Sequence, residues 1–387
     1  MATDTFPGFV RPDGTVGIRN HVIIVPSVAC ANGVAAAIAR AVPEAVPLFH
    51  GHGCGRAVEV AMHTRVLANL GRHPNVAAAL VVGLGCEMIK AHTLAEQISD
   101  TGKPVEQLEI QSMGGTRKAT AKGIEVIQDM LEKAARLQPK KCSLDQLVLG
   151  LECGGSDAFS GITANPAVGR VSDWLVDQGG TVILTEDTEM IGTRQILKKR
   201  ACNAEVARQI DTLVANAQQL THRLLGDAAA FAIAPGNMDG GMSSIQEKSL
   251  GCIIKSGQRP ITQVIEYGGQ PTTKGVVLMA GPGYDIESLT GLAAAGCQAI
   301  IFTTGRGNPI GHPIVPVIKV ASTSKLYSQM PEDLDINAGV VLEGASLESV
   351  AQQMQALLQR VLKGELTQAE VNRQEGIVCM HTLHPAF

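Results

Sequence analysis

LGLECGGSDAFSGITANPAVG, Leu149 to Gly169, is the stretch from which the rest of the chain is read. An apolar strand over Gln146 to Leu151 runs straight into Glu152, Cys153, two glycines, Ser156 and Asp157. A second glycine turn at Gly161 follows, and Asn165-Pro166 opens a helix. Apolar strand, polar glycine loop and capped helix predict an open parallel α/β sheet, in which ligands bind at the carboxyl ends of strands. Glycines let backbone approach a ligand and leave N–H groups free for an anion. The thiol and carboxylates can coordinate a metal or move protons. A tight turn with an ordinary capping Asp is the plain alternative. A thiol, two carboxylates and a serine within one short loop favour a site.

The chain has 387 residues, more than one typical core, and this points to two domains. A hydrophobic share of 45% with 42 glycines fits an α/β enzyme with many short turns. Aromatic residues make up only 3%, which disfavours base-stacking platforms. The net charge is −4 and the signs are dispersed, so neither nucleic acid nor an anionic membrane is expected as a partner. No apolar run approaches the ~20 residues of a membrane span. The start, MATDTFPGFVRPDG, lacks the order of a secretory signal. The nine cysteines therefore read as reduced cytoplasmic thiols, some of them available to a metal.

Before the central stretch, His21 to Pro26 reads as a strand, Asn32 to Ala41 as a helix, and Pro47 to Phe49 as an extended piece. It leads into HGHGCGR, His50 to Arg56. If that run is extended, His50, His52 and Cys54 project to one side and form a metal corner; otherwise it is a flexible glycine loop. Val58 to Leu70 reads as a helix and VAAALVV, Val76 to Val82, as a strand buried on both faces. That strand ends in GLGCE, Gly83 to Glu87, which echoes GLEC at Gly150 to Cys153 and places Cys86 beside a carboxylate. Val105 to Ile110 is another strand. GGTRK, Gly114 to Lys118, opens a long helix through Arg136, where Arg117 suits a carboxylate or phosphate, or is simply a solvated turn. QPKKCS, Gln138 to Ser143, reads as a linker. It divides the chain into a smaller α/β domain, 1–141, and a larger domain, 142–387.

Beyond the central stretch, Val168 to Asp177 is a helix and TVIL, Thr181 to Leu184, a strand ending in TEDTEMIG. Glu186 and Glu189 are three apart at a helix start and share a face. They suit a hard cation or divided acid and base roles, or else favourable first-turn charge. Gln195 to Leu225 reads as helix. APGNMDGGMSSIQEKSLGC, Ala234 to Cys252, is a second glycine loop with a capping box at Ser244 to Glu247. Lys248 there is a base if desolvated, or a clamp for a carboxylate. Gly275 to Ala280 is a strand entering GPGYD, Ser288 to Ala295 a helix, and Gln298 to Phe302 a strand entering TTGRGNPIGHP. Arg306 on that loop is a carboxylate fork. Val315 to Val320 is a strand, Leu347 to Leu362 an amphipathic helix, and His381 and His384 read as surface residues. The alternation predicts a doubly wound, mostly parallel sheet. No dinucleotide fingerprint and no phosphate-binding Walker loop is present.

Taken together, GFVRPDGTVGIRN, H-x-x-x-C at His50 to Cys54, VVGLGCE, the central stretch, TEDTEMIG, EKSLGC, PGYD and FTTGRG resemble the altronate/galactarate dehydratase family over nearly the whole chain. The resemblance implies a Rossmann-like C-terminal domain, a smaller dimerising domain before it, and a cytoplasmic, iron-assisted hydro-lyase acting on sugar acids. Long members carry an additional N-terminal β-clip domain, whereas the pattern here begins at Phe9. A separate small β-clip subunit is therefore a possible partner, as in the related two-subunit sulfolactate sulfo-lyases. A non-catalytic scaffold is the remaining alternative. The chemistry asks for a cation to stabilise charge on the substrate carboxylate, a base for the α proton, and help for the departing β-hydroxyl. Candidate metal ligands are His50, Cys54, Cys153, Glu186 and Glu189. They would hold Fe2+ or Mn2+; an iron–sulfur cluster on Cys54, Cys86 and Cys153 is the other arrangement. Candidate acid–base residues are Lys248, Asp157 and Glu247. Ser156, Asn165, Arg306 and Arg117 are candidates for binding the substrate.

Overall fold

The computed structural model describes residues 5–386. Strand β1 (Thr5–Val10) pairs antiparallel with β2 (Val16–Gly17). Strands β3 (His21–Pro26), β4 (Val46–Pro47), β5 (Val76–Gly83) and β6 (Val105–Glu109) form a parallel sheet in the order β4-β3-β5-β6. Lys140–Ser143, within the expected linker, is strand β7 and pairs antiparallel with β1. It is extended because Cys142 turns inward against Phe6 while its lysines face solvent.

A larger sheet of seven parallel strands follows. It comprises β8 (Val148–Cys153), β9 (Thr181–Leu184), β10 (Ile261–Ile265), β11 (Gly275–Met279), β12 (Ala299–Thr304), β13 (Val317–Ala321) and β14 (Ile336–Asn337). Their order is β10-β11-β9-β8-β12-β13-β14. The chain fills one side of β8 with β9, β10 and β11, the last inserted between the other two, and then crosses to the other side, so the order reverses between β8 and β12. In open α/β sheets this switch point is where ligands bind. Strands β8, β9, β11, β12 and β13 are almost wholly buried, as expected of strands covered on both faces. The expected doubly wound α/β class is thus the one observed, and among the described residues no helix is long and apolar enough to cross a membrane.

Some boundaries differ from the expected ones. Leu144–Gln146 is a short 3-10 turn, so β8 begins only at Val148 and carries Glu152 and Cys153 inside the strand. The long helix expected after Gln195 is two, Arg194–Lys199 and Ala204–Leu225, with Asn203 capping the second through Val206 N–H. His384 is exposed as expected, although it pairs with Glu59 at 2.8 Å, whereas His381 is half-buried and pairs with Glu287 at 2.8 Å.

The two parallel sheets share one core, in which Ile23, Val66 and Leu94 of the first pack with Val277, Leu289 and Ile300 of the second. Polar bridges seal this seam. Asn75 donates to the carbonyls of Gln298 and Ile314, and His73 Nε2 meets Cys297 O at 3.0 Å. Burial pushes His312 down to about 3 and His50 down to about 4. These imidazoles bind fewer protons folded than unfolded between those values and about 6.5. The stability they permit is therefore lost as pH falls through that window. Buried Asp187 and Asp335, pushed up to about 6, act in the opposite sense. The imidazole effect is therefore best read directly. Ring signals of His50 and His312 in NMR are expected to stay in the neutral form at pH 5, where a free imidazole is protonated. Ordinary titration near 6.5 would contradict the packing described.

Candidate metal and acid–base site

Cys153 ends β8 at the switch point and is fully buried. Its Sγ lies 2.9 Å from Glu189 Oε2 and 3.4 Å from Cys252 Sγ. Glu189 comes from the short turn after β9, and Cys252 ends the helix Ile245–Cys252. That helix is capped by Ser244, whose hydroxyl accepts from Glu247 N–H. It also presents Lys248, one turn before Cys252, and the Lys248 ammonium pairs with Glu189 Oε1 at 2.5 Å. Behind them, fully buried Lys255 reaches Glu186 Oε2 at 3.3 Å, and the same oxygen accepts from Cys153 N–H at 3.1 Å. Glu186 holds this place in a left-handed backbone conformation, φ 68° and ψ 64°. For a non-glycine residue such strain costs on the order of 1–3 kcal/mol and clusters at functional sites.

The electrostatics are those of a buried mixed-charge cluster. Burial alone would raise the Glu189 carboxyl, but Lys248, then Lys255, outweigh it and hold Glu189 ionised. Burial likewise opposes charge on Lys248, yet Glu189 and the nearby thiol Cys153 raise it and keep it an ammonium. Burial, then Cys252, keeps the Cys153 thiol well above its ordinary range. The ligand atoms of Cys153, Glu189 and Cys252 all lie within 4.8 Å of one another. Two thiols and a carboxylate suit a borderline divalent transition metal, whose binding would release the thiol protons. Glu186 Oε1, both carboxylate oxygens of Glu152, and the hydroxyls of Ser156, Thr185 and Ser249 are buried with no hydrogen bond of ordinary length among the described residues. Buried polar atoms are rarely left so unless a ligand or water meets them. The donor set therefore fits a metal, with unmet polar atoms on the same strand, helix and turns that supply it.

The structure brings together some expected residues and separates others. Cys153, Glu186, Glu189 and Lys248 converge as described. Ser156 and Asn165 lie close by, the Asn165 amide bonded to Gly251 O and Thr303 Oγ1. Arg306 is exposed beside Gly155. Asp157 already accepts from Ser160 N–H, Ser160 Oγ and Ser322 Oγ, at 2.7 to 2.9 Å, and so clasps its loop. Glu247 is exposed and bonded to Ser243 N–H.

The run His50 to Arg56 is not extended, so the expected corner does not form. Both His50 nitrogens are engaged, Nε2 with Pro26 O and Nδ1 with His52 N–H, while Cys54 faces solvent. Cys86 is exposed on the adjoining loop, where Met88 and Ile89 N–H donate to Gly53 O. Arg117 is an exposed first-turn residue of the helix Thr116–Ala135, on the smaller sheet. Cys252 and Lys255 carry no role in the sequence reading. The signal for them was a cysteine at i+4 from Lys248 and a lysine inside the apolar turn IIKS.

Comparison with known proteins places the chain in a family. The family model of the D-galactarate/altronate dehydratase C-terminal domain matches residues 144–384, and that of the D-galactarate dehydratase/altronate hydrolase second domain matches 8–135. An altronate dehydratase of Bacillus subtilis (strain 168) is 40% identical over 95% of this chain and 76% of its own length. A galactarate dehydratase (L-threo-forming) of Escherichia coli (strain K12) is 34% identical, over 88% of this chain and 69% of its own. A (2R)-sulfolactate sulfo-lyase subunit beta of Chromohalobacter salexigens is 33% identical, over 95% of this chain and 94% of its own. A chain matched by these two domain models over 8–135 and 144–384, and at this identity by these relatives, belongs to the D-galactarate/altronate dehydratase family and to its lyase class of enzymes.

Proposed function

We propose that this chain is a hydro-lyase that dehydrates a sugar acid of the altronate or galactarate type to a 2-keto-3-deoxy acid, assisted by Fe2+. The observation that carries the reading is the buried Cys153–Glu189–Cys252 donor set at the switch point. Cys153, Glu189 and Cys252 would hold the ion, with Glu186 fixing the Cys153 backbone. When bound, a divalent ion supplies Lewis-acid stabilisation of the charge that builds on the substrate carboxylate as the α proton leaves. Lys248, kept charged by Glu189, adds a fixed cation there. The unpartnered hydroxyls of Ser156, Thr185 and Ser249 suit a polyhydroxylated chain, and Arg306 suits a second carboxylate. We favour Fe2+ over Mn2+ because two of the three donors are sulfur. We favour a single ion over a cluster because Cys54 and Cys86 are exposed while Cys153 is buried against Cys252. We place the protein in the cytoplasm as a homodimer, with 1–141 as the dimerising domain and 142–387 as the catalytic one.

Anaerobic, iron-loaded protein offered altronate and galactarate is expected to release a 2-keto acid from one of them. Removing the metal with a chelator is expected to lower the rate at least about 100-fold, and added Fe2+ to restore it. A rate indifferent to chelation would overturn the metal-assisted reading. A second reading rests on the likeness to the sulfo-lyase subunit beta: a subunit that works with a separate partner. Sulfite release from sulfolactate, with no 2-keto acid from any sugar acid, would select it.

A further inference from the structure

The acid–base residues expected from the sequence are all otherwise engaged. Lys248 is held charged in an ion pair, Asp157 is tied into its loop by three hydrogen bonds, and Glu247 faces solvent. A different set of ionisable groups lies beside Gly154. Strands β8, β12 and β13 are in register, Glu152 opposite Phe302 and Phe302 opposite Lys319, so these three side chains share one face of the sheet. Lys319 is fully buried, its Nζ lies 3.3 Å from the Phe302 ring centroid, and it has no hydrogen-bond partner among the described residues. Fully buried Glu152 has no hydrogen bond of ordinary length to either oxygen among the described residues, with only the Ser288 hydroxyl facing it more loosely. Burying unpaired ionisable groups is costly, and an apolar side chain would serve packing better.

Asp285 sits above this row, at the start of the helix Asp285–Ala294, and is only half-buried. Asn308 Nδ2 donates to its Oδ2 at 2.5 Å. Its carboxylate occupies the space where a β-carbon on Gly154 would go. Asp285 is thus one residue away from Cys153, reachable from outside, and held on its flank.

Resting on the dehydratase reading, we propose that Asp285 is the group that takes the proton α to the substrate carboxylate, and that Lys319 and Asn308 are positioning residues for its carboxylate. The α C–H bond breaks, its proton goes to an Asp285 oxygen, and its electron pair enters the enediolate. That pair then forms the C=C bond as the β C–O bond breaks. The departing hydroxide takes the proton from Asp285 and leaves as water. The enol tautomerises to the 2-keto acid, and Asp285 is again a carboxylate. Burial raises Asp285 above the usual carboxylate range, while Lys319 and Lys248 lower it and Glu189 raises it; Glu152 faces the same group. Burial pushes Lys319 down to about 7, against the pull of Asp285, Glu152, Asp335 and Asp333.

The test uses the full iron-loaded chain and whichever acid the wild type converts, sulfolactate included. For Asp285→Asn, kcat is expected to fall at least about 100-fold, with KM, bound iron and melting temperature little changed. Exchange of the substrate α proton with solvent deuterium, followed by NMR, is expected to vanish with it. Lys319→Met keeps the packing on Phe302; the limb of its pH–rate profile that reports Asp285 is expected to move to higher pH. Asp285→Asn with kcat within about 3-fold of wild type, or with α-proton exchange intact, would overturn the inference while leaving the dehydratase reading standing. A wild type that converts no acid overturns both. If Asp285→Asn does not fold, an unmoved profile in Lys319→Met decides against the inference.

Discussion

Glu189→Gln is expected to destabilise the folded chain by about 3–5 kcal/mol and to abolish metal binding. The Lys248 ammonium lies 2.5 Å from Glu189, and the two side chains are only 11% and 3% exposed. An amide of the same shape leaves that cation without its counter-charge, and its single remaining oxygen can accept from the Lys248 ammonium or the Cys153 thiol but not both. Breaking a buried pair from one side is far more damaging than the pair's net contribution would suggest. Glu125→Gln is the matching control. It breaks the exposed Lys122–Glu125 pair, and should change stability by less than about 0.5 kcal/mol. Urea unfolding at pH 7 with chelator present compares the two without metal linkage. Equal, small losses would mean that the Glu189 charge is not compensated as described.

The second large effect is expected from Gly154→Ala. A β-carbon there would collide with the Asp285 carboxylate and the Phe302 ring. Neither can retreat freely, since Asp285 is bonded to Asn308 and Phe302 is fully buried against Lys319. Overpacking of this kind costs typically about 1–3 kcal/mol. A displaced carboxylate should lower turnover about 100-fold, because misplacement of about 1 Å has that effect on positioned groups. Gly33→Ala is the contrasting change: nothing lies within 4 Å of its β-carbon position, so turnover should be unchanged. Steady-state rates of the two variants, with bound iron measured alongside, check the contrast.

The fold was legible because its strands announce themselves. VAAALVV and TVIL are short continuous apolar runs, and both are buried parallel strands. The central stretch was placed correctly as strand, glycine loop and helix, and Cys153, Glu186, Glu189 and Lys248 converge in space. Legibility failed where a residue's meaning depends on distant neighbours. His50 and Cys54 looked like a metal corner only if the glycine-rich run were extended, and the glycines bend it instead, at Gly53 and Gly55 with φ of 107° and 72°. Cys252 and Lys255 lie about a hundred residues from Cys153, and only helix packing brings them to it. Lys319 sits in VIKVA, read only as a strand, and it is the covering of that strand on both faces that buries its charge. Lys140–Ser143 read as a linker because charge and proline precede it, yet pairing with β1 decides its state.

The position of Glu152 and Cys153 as consecutive residues of β8 has consequences for how such proteins can diversify. Their side chains point to opposite sides of the sheet, the thiol toward Glu189 and Cys252, the carboxylate toward the row containing Phe302 and Lys319. Loops beyond the strand ends can lengthen or shorten and alter which acid is accommodated. Gain or loss of one residue within β8 would exchange the two faces and disarm both clusters while leaving a well-paired sheet. Natural variation in this lineage should therefore concentrate its insertions after Gly155, and divergent copies that have lost the chemistry should include some whose only lesion is a one-residue slip upstream of Cys153.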